Sequence, residues 1–214
     1  MSEASLLRRP AVRWVLAAVI LVVAATVALW PRGGSETTGI VAQTSRQPSG
    51  VSAEERAAAG SQPCPSPASA TGSGPLSGLQ VSCLADGKPV DLAAALAGKP
   101  ALLNLWAYWC GPCATELPHL QEFAQRAGSA LTVITVHSDP DEAKALSRLT
   151  GLGITLPGVE DPQAAVRSAV GAPAVLPVSV LVRADGTIAS VEVRTFADVA
   201  DIADTVSAKL GVTV

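Results

Sequence analysis

Positive charge is in short supply: 15 Lys and Arg stand against 18 Asp and Glu, a net charge of -3 over 214 residues. Proteins that grip nucleic acid carry a clustered basic face to meet phosphates, and no such cluster exists here, so nucleic acid is excluded as a partner. Histidine occurs only as His119 and His137, and neither completes a ligand spacing with a cysteine. The four cysteines are Cys64, Cys83, Cys110 and Cys113. A four-thiolate metal site wants two closely spaced pairs, and Cys64 and Cys83 are too far apart in sequence to be one. No metal and no soluble cofactor is therefore expected. Internal repeats are absent as well.

What the chain has in excess is apolar character, 49% of residues, unevenly spread. No charged residue interrupts the run from Trp14 to Trp30, and Arg8, Arg9 and Arg13 precede it against the single acid Glu3. The run is slightly shorter than the ~20 residues that cross a bilayer core, but a Trp at each end fits the interfacial aromatic belt. By the positive-inside rule residues 1–13 stay cytoplasmic, 14–30 form a single-pass anchor in the cell membrane, and everything beyond lies outside the cytoplasm. The alternative is a cleaved signal peptide, with Thr26 and Ala28 near a cut. Secretory apolar regions span only about 7 to 15 residues, which favours the anchor. No cysteine lies nearby to carry a lipid.

Residues 31–77 are rich in Gly, Ser, Pro, Thr and Ala and almost devoid of large apolar side chains. Too little surface is available there to offset the entropy of ordering the chain, so the stretch reads as a flexible tether, with a short helix over Ala53–Ala59. A domain of ordinary size occupies 78–214.

Within that domain, Gln80–Leu84 and Pro89–Leu92 flank Asp86-Gly87, a hairpin signal. Ala101–Ala107 (ALLNLWA) is a short apolar run that predicts a buried central strand, followed by a helix over Gly111–Ala127. Leu131–His137 predicts another strand. Asp141–Leu149 reads as a helix with acids in its first turn, and Asp161-Pro162 starts a short helix that ends at Val170. Val178–Val182 and Thr187–Val193 form a hairpin around Asp185-Gly186, and a last helix spans Ala197–Leu210. Strands alternating with helices, then a hairpin and a terminal helix, predict an α/β domain whose central mixed sheet is covered by helices on both faces.

The segment Trp109-Cys110-Gly111-Pro112-Cys113 falls where the central strand gives way to a helix. Cys110 would lie at the helix N-terminus, where free N–H groups and the macrodipole favour a thiolate, the reactive form. A spacing of three puts both sulfurs on one helical face, so Cys113 can resolve a mixed disulfide made by Cys110. Pro112 fits the first turn, where a missing N–H is harmless. A purely structural bridge is the bland alternative.

Residues 99–118, KPALLNLWAYWCGPCATELP, resemble the active-site segment of membrane-anchored TlpA-like and ResA-like thioredoxins, and the resemblance covers about residues 78–212. It implies a thioredoxin fold, with Pro118 similar to the proline that kinks the active-site helix. It also implies a cis-proline opposite the dithiol. Leu176-Pro177 is the matching position, with Pro173 as a competitor, and Leu176 and Trp109 are then substrate contacts. Thioredoxins carry a buried Asp six positions before the first active cysteine, and Asn104 stands there instead. An amide cannot take up the proton that Cys113 must lose. Glu116 matches an acidic residue of the TlpA-like pattern and is the candidate to tune that thiol; otherwise it is a solvated acid on a helix face. His119 and His137 read as bystanders.

If the dithiol is to cycle, Cys64 and Cys83 are left to each other, and a bridge between them would pin the tether to the domain. The rival is a redox relay in which Cys64 exchanges with the active site. The expected function is reduction of disulfides in exported proteins, apocytochrome c among them, with electrons from a transmembrane thiol carrier. An exported oxidase would use the same residues in reverse. A peroxiredoxin wants Thr or Ser where Ala107 stands, and copper-delivery relatives use a wider cysteine pair and a histidine.

Overall fold

A computed structural model describes residues 50–66 and 72–214. The expected cytoplasmic terminus, the anchor over 14–30 and the tether up to residue 49 lie outside those residues. Among the described residues no helix is long and apolar enough to cross a membrane.

The chain runs α1 (Ala53–Ala59), β1 (Gln80–Cys83), β2 (Pro89–Asp91), α2 (Leu92–Leu96), β3 (Ala101–Trp106), α3 (Gly111–Ala127), β4 (Thr132–His137), α4 (Glu142–Leu152), β5 (Gly158–Glu160), α5 (Ala165–Ala169), β6 (Val178–Val182), β7 (Ile188–Glu192) and α6 (Val199–Leu210). One seven-stranded sheet has the order β2-β1-β5-β4-β3-β6-β7. The centre is parallel, β5 to β4 to β3, and each flank is antiparallel. The expected mixed sheet is thus present, and the N-terminal hairpin joins it as an edge through β1 against β5.

Side-chain alternation along a strand divides the core into two layers. Leu102, Trp106, Val133 and Leu181 face Leu117, Leu120 and Phe123 of α3, Leu146 and Leu149 of α4, and Ile202 and Val206 of α6. Leu103, Leu105, Ile134, Val136, Val178 and Val180 face Leu92 and Leu96 of α2 and Val166 of α5. Helices cover both faces of the sheet, and every residue of β3 is buried.

Two elements were not legible in the sequence: β5 is three residues long and α2 five. Segments this short carry too few residues for a periodicity to show. The helix after Asp161 starts later than expected, at Ala165, because Asp161 turns its carboxylate onto the N–H groups of Ala165 and Val166 at 2.8 and 2.9 Å. Gly153, in the left-handed conformation, ends α4 three residues past the expected stop at Leu149.

The reading of 31–77 as flexible tether does not describe residues 50–66. Ser52 and Glu55 form a reciprocal capping box on α1. Val51 and Ala59 join the core layer of α3 and α4, and the Arg56 guanidinium is buried in a two-pronged pair with Glu142 of α4, Nη2 to Oε2 being 2.8 Å. Further on, the Gln62 N–H donates to the Thr155 carbonyl at 2.8 Å, and Cys64 is bonded to Cys83. Composition misses this strap because its attachment rests on a buried ion pair, a disulfide, backbone hydrogen bonding and a few small side chains rather than on apolar mass.

A seven-residue helix is marginal alone, so α1 should depend on its ion pair. Arg56→Ala is expected to raise amide exchange across residues 53–59 by on the order of 100-fold, as a buried partner worth about 3 kcal/mol is lost and α1 comes away. Amides of β3 should keep their protection. Mass-resolved hydrogen exchange measures both. Replacing Cys64 and Cys83 by serine should lower unfolding stability by about 3 kcal/mol, as expected for a loop of this length, in a denaturant titration.

Candidate active site

β3 ends at Trp106, and four residues later Cys110 caps α3 with an extended backbone, φ -77° and ψ 106°. The Cys113 N–H donates to Cys110 Sγ at 3.2 Å. One of the orphan donors of the helix start therefore already points at the sulfur on which negative charge would develop. The two cysteines are bonded to each other, with Cα atoms 5.3 Å apart. They are not equally accessible: Cys110 keeps 5% exposure and Cys113 none. Only Cys110 reaches the surface, so an attacking partner meets that sulfur, and the resolving thiol sits inside. Pro112 lies in the first turn as expected, and Pro118 stands inside α3.

Trp109 is the most exposed large apolar residue in the described chain, at 58%. Its indole N–H donates to Asp139 Oδ2 at 2.9 Å, which fixes the ring beside the motif. Across the sheet, β6 pairs antiparallel with β3, with Val178 opposite Leu105. Pro177 therefore enters β6 at the same end from which β3 releases the cysteine loop. The Leu176-Pro177 bond is cis, and it is the sole cis bond among the described residues. Pro173, the competing candidate, is trans. Leu176 packs against the core layer that contains Cys110 and Cys113, and Val175 beside it is half exposed.

Glu116 is fully buried, not a solvated acid on a helix face. It sits one turn beyond Cys113 on the face of α3 that also carries Leu117 and Leu120. Asn104 shares the strand face of Leu102 and Trp106, which α3 covers, and its Nδ2 donates to Glu116 Oε2 at 2.7 Å. The other carboxylate oxygen accepts the Phe196 N–H, also at 2.7 Å. Asn104 Nδ2 donates in addition to Ser179 Oγ at 3.2 Å, across the β3–β6 pair. Burial pushes the Glu116 carboxyl above the usual range. The Phe196 N–H, the Asn104 amide and the charge of Arg194 pull it back in part, while Asp201 pushes upward. Arg194 stacks over the Phe196 ring, 4.5 Å from its centroid, and grips Asp201 at 2.7 and 2.9 Å.

Two features were not foreseen. The Phe196 N–H, 80 positions from Glu116, leaves no trace in sequence because a backbone donor has no residue signature. His137, read as a bystander, is buried at the end of β4 with Nδ1 2.8 Å from Glu160 Oε2, and burial raises that carboxyl too, against the pull of the imidazole. His119, half-buried on α3, makes no hydrogen bond to the dithiol. Cys64 and Cys83 are bonded to each other, with Cα atoms 5.9 Å apart, the pairing expected from the sequence.

A family model described as Redoxin matches residues 63–206. A thioredoxin of Mycolicibacterium smegmatis is 44% identical over 50 residues, 23% of this chain and 45% of that protein. The thiol-disulfide oxidoreductase ResA of Oceanobacillus iheyensis is 30% identical over 89 residues, 41% of this chain and 46% of that protein. The thiol:disulfide interchange protein DsbE of Yersinia pestis is 37% identical over 67 residues, 31% and 34% respectively. The matched region thus spans about a third to a half of the length of these curated relatives. Among solved structures, a secreted disulfide oxidoreductase of Mycobacterium tuberculosis homologous to E. coli DsbE aligns with a TM-score of 0.52 at 26% identity, over 64% of this chain and 96% of that one. A DsbF homologue from Corynebacterium diphtheriae aligns with a TM-score of 0.55 at 26% identity, over 70% and 99%. The chain belongs to the Redoxin family and has a thioredoxin fold, with relatives among the DsbE and ResA thiol–disulfide oxidoreductases.

Proposed function

We propose that the protein is a membrane-anchored, extracytoplasmic protein-disulfide oxidoreductase that reduces disulfides in exported proteins. The observation that carries this reading is the unequal pair at the head of α3: Cys110 at the surface with a helix N–H aimed at its sulfur, and Cys113 buried one turn from a buried carboxylate.

The chemistry follows from that asymmetry. In the reduced enzyme the Cys110 thiolate attacks one sulfur of a substrate disulfide. A Cys110–substrate bond forms, and the second substrate sulfur leaves as a thiolate that takes a proton from water. Cys113 then gives its proton to the Glu116 carboxylate and attacks Cys110 Sγ. The Cys110–Cys113 bond forms, the mixed disulfide breaks, and the first substrate sulfur leaves and is protonated in turn. Two electrons have passed to the substrate, and a membrane thiol carrier returns them to the enzyme. Trp109, Val175 and the backbone of Leu176 at Pro177 offer an apolar rim and a strand edge for the substrate chain. Apocytochrome c is one substrate that the TlpA-like and ResA-like resemblance suggests, and the Cys64–Cys83 bridge suits an oxidising compartment.

The anchor over residues 14–30 is part of the same proposal and rests on the uncharged run between Trp14 and Trp30 behind three arginines. The full chain should sediment with membranes and resist alkaline extraction, whereas the chain without residues 1–49 should not. Equal behaviour of the two forms would remove the anchor.

Cys113→Ser is expected to accumulate a mixed disulfide at Cys110 that reductant releases, and Cys110→Ser should lose insulin reduction by at least about 1,000-fold. Reducing and oxidising roles separate on potential. A reductase with a Gly-Pro dipeptide should lie nearer the about -270 mV of thioredoxin than the about -120 mV of a strong oxidant, with Cys110 held as a thiol in the cell. An oxidising potential together with a cellular Cys110–Cys113 disulfide would reverse the direction. Stoichiometric copper binding without reductase activity would replace the enzyme by a metal-delivery module.

A further inference from the structure

Asn104 is fully buried in the middle of the central strand, and its hydrogen bonding is lopsided. Nδ2 makes two bonds, to Glu116 Oε2 at 2.7 Å and to Ser179 Oγ at 3.2 Å, while Oδ1 has no partner. A buried amide oxygen left without a donor is expensive, and a native structure that keeps one calls for a reason. Both groups that Nδ2 meets are able to change roles. A carboxylate accepts, but once protonated it also donates, and a serine hydroxyl does either.

We propose that Asn104 is the positioning residue that holds Glu116 for proton exchange in both of its charge states. With Glu116 ionised, Nδ2 donates to Oε2, as observed. When Glu116 has taken the Cys113 proton, a half-turn of the amide about its terminal bond brings Oδ1 to the place of Nδ2. There it accepts the new O–H of Glu116, and the Ser179 hydroxyl turns to donate to the same oxygen. The bond count is unchanged: two bonds before and two after, with the unpartnered atom switching from Oδ1 to Nδ2. No proton passes through the amide, and none is created or lost.

The residue type follows from this role. An ionised Asp at 104 could only accept, and would set two carboxylates against one another on a single shared proton. A leucine would leave Oε2 buried with no donor. An uncharged group that both donates and accepts satisfies Glu116 before and after the transfer. The charged groups that bear on Glu116 are Arg194 and Asp201 from the β7–α6 side. They are paired with each other at the surface, so they set a steady background while Asn104 responds to the proton. Phe196 N–H, a donor only, holds the other oxygen in place throughout.

This inference rests on Glu116 as the proton acceptor of Cys113, and the test separates the two. The full-length chain, with dithiothreitol as the electron donor that returns it to the dithiol, is assayed for insulin disulfide reduction from mildly acidic to mildly alkaline pH, as wild type, Glu116→Gln, Asn104→Leu and Asn104→Asp. Burial holds the Glu116 proton on to higher pH than usual, so the wild-type rate should rise with pH as the carboxylate forms, and Glu116→Gln should lose that rise. Asn104→Leu and Asn104→Asp should both move the rise to higher pH. At neutral pH each should reduce kcat about tenfold, the worth of a hydrogen bond to a charged group, with KM unchanged because Asn104 touches no substrate. If Glu116→Gln keeps the rise, the proton acceptor is misassigned and Asn104 loses its role with it. If Glu116→Gln loses the rise while both Asn104 variants keep the wild-type profile, the positioning role alone is overturned. Should the Asn104 variants fail to fold, the wild-type chain labelled with 15N decides: the Asn104 side-chain amide resonances should shift through the same pH range as the rate. Resonances that stay fixed across it would overturn the proposal.

Discussion

The parity of β3 is the constraint on which the rest depends. Its six residues alternate between two helix-covered layers, so Leu103 and Leu105 go to α2 and α5 while Leu102, Asn104 and Trp106 go beneath α3. The same parity in β6 sets Ser179 beside Asn104, through the antiparallel register that pairs them. A polar strip thus crosses an apolar sheet directly under the helix that bears the cysteines. Slipping β3 by one residue would send the amide to the opposite layer and bring a leucine under the carboxylate, and slipping β6 would put a valine in place of the Ser179 hydroxyl.

That strip explains how a carboxyl group survives in the interior. An unpartnered buried carboxylate would be driven to neutrality by the loss of hydration. Here each oxygen has one donor at 2.7 Å, one from a strand side chain and one from the backbone after β7. The donors oppose the burial without cancelling it, since the group still titrates above its ordinary range. A carboxyl so balanced sits closer to the thiol range than a surface glutamate would, and proton exchange is easiest between groups whose affinities approach one another. The helix start does the complementary work at Cys110, where an amide hydrogen stabilises charge on sulfur. In the proposed mechanism one element thus serves both thiols by opposite means.

Much of the layout was legible because it rests on local signals. Gly111–Ala127 followed a short apolar run and carried Pro112 in its first turn, and ALLNLWA could be little else than a central strand. The burial of Glu116 was also written in the helix, since positions 113, 116, 117 and 120 form one stripe and three of them are apolar or thiol. An isolated Asn within ALLNLW and an isolated Ser within VSVLV were the matching hints in the strands. What could not be read were the long-range pairings. Nothing about Arg56 says that its partner is Glu142, 86 positions away, and nothing about Phe196 marks its backbone as a donor to α3. The strap was missed for the same reason: the sequence reports how much apolar surface a segment has, not which single contact will hold it.

Closure of the strap has a topological effect. The bond between Cys64 and Cys83 makes the intervening chain a covalent ring that contains β1 and the turn before it. A cut at any one peptide bond inside that ring opens a loop but separates nothing. Everything before Cys64, including the segment read as the anchor, stays joined to the catalytic domain until a reductant acts as well. Release by a cut between Cys64 and Cys83 would therefore require two chemically distinct events, a hydrolysis and a reduction, whereas a single cut before Cys64 frees the domain at once.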